Sequence, residues 1–152
     1  MNILEQIRNR FVDKIGIMEK SAKRVYIAVE KEEARELVCY LFRDLGARFS
    51  IATGVDTRPG IEILYHMAFD ANDLMLTVRV LVRKPELEMP TFSDFMPAAE
   101  WIEREIHEMF GVKFIGHPNL QTLLLPDDWP EGVYPLRKGT FESEKENEER
   151  EN

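Results

Sequence analysis

Apolar residues mark out the elements of this chain before any chemistry is considered. Ile3, Ile7, Phe11 and Ile15 recur every four residues with Leu4 beside them, which predicts an amphipathic helix ending near Gly16. "RVYIAVE" then alternates, with Val25, Ile27 and Val29 facing one way, as in a strand. Ala34, Leu37, Val38, Leu41, Phe42 and Leu45 return to helical spacing, and Gly46 stands where a left-handed C-terminal cap is expected. Three strand-like runs follow: "ARFSIATGV", "IEILYHMAF" and "LMLTVRVLV". The turns "DTRPG" and "DAND" separate them, and the last two runs should pair as an antiparallel hairpin. A further helix runs from about Pro97 to Phe110. The order α-β-α-β-β-β-α predicts an α+β fold of two layers: a mixed or antiparallel sheet packed by helices, largely on one face.

After Gly111 the periodicity stops. Pro118, Pro126, Pro130 and Pro135 interrupt a stretch that still carries Leu120, Leu123, Leu124, Leu125, Trp129, Val133, Tyr134 and Leu136. It is too apolar for a free linker, and long irregular segments inside small domains are usually functional or disordered. The expected organisation is an α+β domain over 1–112, an extended arm over 113–140, and a tail over 141–152. The arm should pack on its own domain or on a partner.

On a wheel of 100° per residue, Ala98, Ala99, Ile102, Ile106, Met109 and Phe110 share an arc of about 120°. Glu100, Glu103, Arg104, His107 and Glu108 lie opposite. They predict an outward polar face with surface pairs Glu103–His107 and Glu100–Arg104. Glu105 sits just beyond the apolar arc. A carboxylate there should be half buried and in need of a cation, with Arg137, Lys138 or a group on another chain as candidates. Arg137 is also suited to a bidentate bridge with a carboxylate.

Charge and cysteine content narrow the function. The formal net charge of -8 argues against phosphate-driven nucleic-acid binding. Half of that excess lies in "FESEKENEEREN", residues 141–152, which reads as a disordered acidic tail. The single cysteine, Cys39, lies among apolar residues and reads as a buried thiol. One thiol cannot hold an iron–sulfur cluster or a cysteine-rich zinc site. Neither a membrane-length apolar run nor a secretory leader pattern is seen, so a cytoplasmic location is expected.

"EREIHEMFG", Glu103–Gly111, invites a zinc-protease reading through His107-Glu108. That motif needs a second histidine four residues on, and Gly111 stands there. His117 lies beyond the helix. His66, within "ILYHMAF", reads as a hydrogen-bonded structural histidine. The chain has no nucleophile elbow and no phosphate-cradling glycine loop.

"EREIHEMFG", "HPNL", "LLLPDDWP" and "PLRK" together resemble the 30 kDa subunit of respiratory complex I, in its bacterial form. The same family includes a small subunit of membrane-bound, energy-converting nickel-iron hydrogenases. Glu103, Arg104, Glu105, Glu108, Met109, Phe110 and His117 stand at matching positions, and the resemblance spans residue 1 to about 140. Respiratory members usually have tyrosine and aspartate where this chain has His107 and Glu108, which points to the hydrogenase branch. Gln121 replaces a basic residue or proline, and the long C-terminal extension of many respiratory members is absent.

The resemblance implies a structural subunit without cofactors of its own. It would dock on a large hydrogenase-like (49 kDa-type) subunit and a small iron–sulfur subunit. Nickel-iron and iron–sulfur clusters would belong to those partners. Membrane contact would come only through other subunits, on the cytoplasmic face. The expected partner interface is Glu103, Arg104, Glu105, His107, His117, Pro118, Trp129, Arg137 and Lys138, with no catalytic, cofactor or metal residue. Two rival readings are a stand-alone metal-dependent hydrolase using Glu103, His107 and His117, and a regulatory protein-binding module.

Overall fold

The computed structural model describes residues 1–140. Helix α1 spans Ile3–Arg10 and opens on a capping box, with the Glu5 N–H donating to Asn2 Oδ1 at 2.8 Å and the Asn2 N–H donating to Glu5 Oε2 at 3.0 Å. It does not reach Gly16. Asp13 takes a positive φ of 60°, and Ile15–Ser21 forms a strand, β1. The spacing of Ile7, Phe11 and Ile15 fits a helix, but Ile15 and Ile17 also alternate, and they pair across to Val29 and Ile27. β2 is Arg24–Val29. α2 is Lys31–Cys39, continued by a wider helical turn over Tyr40–Asp44 and closed with Gly46 at φ 73°.

β3 (Arg48–Asp56), β4 (Gly60–Phe69) and β5 (Leu74–Arg83) are the three expected strands, and β4–β5 is the expected antiparallel hairpin. β6 (Glu88–Pro90) and β7 (Lys113–Ile115) pair in parallel as a separate two-stranded sheet. Each is three residues long, too short to show a period. α3 is Ala99–Phe110. The main sheet is mixed and five-stranded, in the order β1-β2-β5-β4-β3, with only β2–β5 parallel.

One sheet face holds Val25, Ile27, Ile61, Ile63, Tyr65, Leu76, Val78 and Val80, all buried. Buried side chains of α1, α2 and α3 join them in a single core. The alternate residues face away from the helices, and His66 among them bonds Thr77 Oγ1 through Nδ1 at 3.0 Å. Cys39 is only partly buried, at the margin of the core. No helix among the described residues is long and apolar enough to cross a membrane. The tail at 141–152 lies outside the described residues.

Candidate functional site: helix α3 and its arm

β7 takes the first residues of the expected arm into a sheet, so the irregular chain begins at Gly116. From there it turns back along the polar side of α3. His117 Nε2 donates to the Glu100 carbonyl at 2.9 Å. One turn on, Arg104 donates to the carbonyls of Gln121 and Thr122 at 3.1 and 2.9 Å. Another turn on, the Glu108 carboxylate accepts from the N–H groups of Leu123, Leu124 and Leu125 at 2.8, 2.9 and 3.3 Å. Glu100, Arg104 and Glu108 are four apart and form one stripe. The arm lies on that stripe, its irregular backbone bonded by the cation and the anion in turn.

The arm then closes over the end of the helix. The Leu136 N–H donates to Met109 O at 3.1 Å, and Arg137 Nε donates to Phe110 O at 2.6 Å. The Arg137 guanidinium stacks on Tyr134, 4.3 Å from the ring centroid. The Lys138 N–H donates to Asp56 Oδ2 at 2.8 Å, while Lys84 Nζ holds Oδ1 at 2.7 Å. Burial pushes the Asp56 carboxyl up, but these donors outweigh it and keep it below its ordinary value. Trp129 Nε1 donates to Val133 O at 2.8 Å and fixes the loop between Pro126 and Pro135.

Several expectations change here. Glu103 and Glu108 are buried rather than outward-facing, because the loop after β6 and the arm cover the side of α3 that a wheel assigns to solvent. The expected pairs Glu103–His107 and Glu100–Arg104 are not formed. His107 Nδ1 bonds Val112 O at 2.8 Å, and Arg104 holds the arm while lying over Trp101. Among the described residues, Arg137 bridges no carboxylate, and neither it nor Lys138 pairs with Glu105. Arg137 is engaged with the Phe110 carbonyl and the Tyr134 ring, and the Lys138 backbone is tied to Asp56. Pro118 is exposed, and Trp129 is partly buried.

Glu103 is fully buried. Its Oε1 accepts from the Phe92 N–H at 2.7 Å and its Oε2 from Thr91 Oγ1 at 2.5 Å, so it pins the loop after β6 to α3. Burial pushes its carboxyl up to about 7, offset in part by those two bonds; Asp94 adds to the rise and Arg35 opposes it. His117 Nε2 is 3.9 Å from Oε2. The ring donates from Nε2 to Glu100 and accepts at Nδ1 from the Asn119 N–H at 3.0 Å, a pattern that only the Nε2–H tautomer satisfies. Glu103, His107 and His117 therefore do not converge as a ligand set, and no group of three or more His, Cys, Asp or Glu side chains does so among the described residues. Nothing in the sequence pattern marks the roles of Thr91 and Asp56. The stripe of Glu100, Arg104 and Glu108, spaced by four, is visible there, but it reads equally well as a solvated ion-pair face.

Gly111 ends α3 at φ 80°, and a Cβ there would meet the Arg137 guanidinium and the Tyr134 ring, the latter at 2.8 Å. Gly111→Ala is expected to cost about 1–3 kcal/mol through left-handed strain and overpacking. Urea unfolding of the purified chain measures it, and an unchanged midpoint would contradict the seating of Arg137.

A chain of this kind has an α+β domain whose last long helix binds its own C-terminal arm into a second outer layer. A family model described as the respiratory-chain NADH dehydrogenase 30 Kd subunit matches residues 27–146, and the chain belongs to that family. It is 32% identical over 138 residues to an NADH-quinone oxidoreductase subunit of Chloroherpeton thalassium, covering 87% of this chain and 57% of that protein. It is 31% identical over 142 residues to membrane-bound hydrogenase subunit beta of Pyrococcus furiosus, covering 89% of this chain and 82% of that one. A chain in the structure of the membrane-bound sulfane sulfur reductase, an archaeal respiratory membrane complex, superposes with a TM-score of 0.81 at 24% identity, covering 95% of this chain and 89% of that one, and so shares its fold. The chain thus spans little more than half of the first of these relatives and most of the second.

Proposed function

We propose that this chain is a cofactor-free structural subunit of a membrane-associated, multisubunit oxidoreductase of the hydrogenase or complex I type. It docks on a large hydrogenase-like subunit and sits beside a small iron–sulfur subunit, on the cytoplasmic face. Nickel-iron and iron–sulfur clusters belong to those partners, and electron transfer there is coupled to ion translocation. The observation that carries this reading is the arm. Its backbone is immobilised by Arg104 and Glu108, and its apolar side chains Leu124 and Leu136 still point outward, 61% and 55% exposed. Trp101 on α3 is exposed to a similar degree. A rigid layer with an apolar outer rim suits a standing interface, because little ordering entropy remains to be lost on binding.

Family membership supports the same reading, and the likeness to a membrane-bound hydrogenase subunit supports the hydrogenase branch. His107 in place of tyrosine points the same way. Native purification of the tagged chain from membranes tests it. The expected result is a stoichiometric large subunit with nickel-binding cysteines and measurable nickel in the preparation. A lone monomer in the soluble fraction would overturn it.

A further inference from the structure

We propose that the groove between strand β3 and helix α3 seats an extended, arginine-bearing segment of the large partner subunit, with Glu105 as its anchor. The proposal rests on the docking reading above and gives it a place and a chemistry.

The groove encloses about 210 Å³ between Ala52 and Gly54 of β3, Ile102, Met109 and Phe110 of α3, and Leu136 of the arm. Gly54 makes its floor possible. A Cβ at that position would lie 2.6 Å from Cε2 of Phe110, so only a glycine lets the ring lie against the strand. β3 is at the edge of the five-stranded sheet, so one side of its backbone has no strand partner. Such an edge pairs readily with an extended segment. Leu136 at the rim is half exposed.

Among the described residues, Glu105 is the one acid that lines this groove, and it is partly buried among those apolar side chains. Among the described residues, no hydrogen-bond donor or cation is bound to its carboxylate. The nearby cations are engaged elsewhere: Arg104 with the arm and Trp101, Arg137 with Phe110 and Tyr134. A carboxylate partly desolvated and unpaired destabilises the free chain. It becomes favourable once a partner supplies a cation. Arginine fits best, because its fork binds a carboxylate bidentately and its stem can lie along Met109 and Ile102.

Charge selects the occupant. The chain's own tail carries six glutamates against Lys145 and Arg150, and a second copy brings the same formal charge of -8. Both would place net negative charge against Glu105. A basic segment from a different subunit is the complementary choice.

The test uses the intact complex purified with wild-type chain, Glu105→Gln or Leu136→Asp, and measures loss of this subunit on dilution. Each free variant is first melted to show that it is folded. Glu105→Gln should leave the free chain's melting temperature unchanged or raised, and should speed loss from the complex roughly tenfold to a hundredfold. Leu136→Asp should do likewise. Wild-type rates in both variants would overturn the groove as the seat while leaving the docking reading intact. A wild-type chain that never associates with a membrane complex would overturn both. If removal of residues 141–152 lowers the free chain's melting temperature only when Glu105 is present, the tail fills the groove. If the isolated chain dimerises and Glu105→Gln dissociates it, a second copy does so. Either result overturns the proposal.

Discussion

Glu108→Ala is expected to free the arm from α3 and to cost about 3–5 kcal/mol of stability. Three backbone N–H groups donate to this one carboxylate, and no other side chain among the described residues serves them. Hydrogen bonds to a charged acceptor contribute about 1.5–3 kcal/mol each, and the three share one anchor, so their sum is an upper bound. The loss is capped because the freed amides reach water once the arm lifts. Glu108→Gln is expected to cost about half as much: its oxygen can still accept, while its amide nitrogen faces donors. Limited proteolysis reads the effect locally. Cleavage between 117 and 136 should accelerate in Glu108→Ala while the sheet and α1–α2 stay protected. An arm as protected as wild type would show that something other than Glu108 holds it.

Glu103 sets a pH dependence of similar size. Its carboxyl is raised from an ordinary 4.5 to about 7 by burial. Between those values the folded chain keeps a proton that the unfolded chain has released. Stability from this group is therefore full at low pH, falls as pH rises through about 4.5 to 7, and is lost above that, a change of ~3 kcal/mol. Glu103→Gln keeps an oxygen for the Phe92 N–H and offers an N–H to Thr91 Oγ1, which can turn its own hydroxyl to Ser93 Oγ, 2.7 Å away. The difference in unfolding free energy between variant and parent, taken at pH 5 and pH 8, isolates this one group from the other titrating side chains. The variant should gain on the parent by up to ~3 kcal/mol across that range. A constant difference would show that Glu103 stays ionised in its buried setting.

Much of the fold was legible because its periods are long. The strand "IEILYHMAF" alternates from Ile61 to Met67 and "LMLTVRVLV" from Val78 on, and the turn between them places Asp73 in the left-handed region, where a short polar residue is tolerated. β1 was hidden because Phe11 and Ile15 happen to continue the helical spacing of α1. β6 and β7 were hidden because three residues carry no period. The site was legible in its residues and misread in its geometry. A helical wheel assumes one buried face, but α3 is also covered by the loop that precedes it and by the arm that follows it. Glu103, Arg104 and Glu108 therefore act inward, on the loop after β6 and on the arm. Among the described residues, Glu105 is the member of that cluster left without a partner, in the groove between β3 and α3.

Cross-linking of the intact complex tests whether α3 and its arm face a large partner subunit. Lys138 closes the arm and Lys113 lies at its root, both exposed, while Lys20 on β1 lies at the opposite edge of the sheet. A lysine-reactive cross-linker followed by peptide identification should join Lys138 and Lys113 to the large hydrogenase-like subunit. Links to that subunit from Lys20, with Lys138 and Lys113 linked only within this chain, would contradict the account.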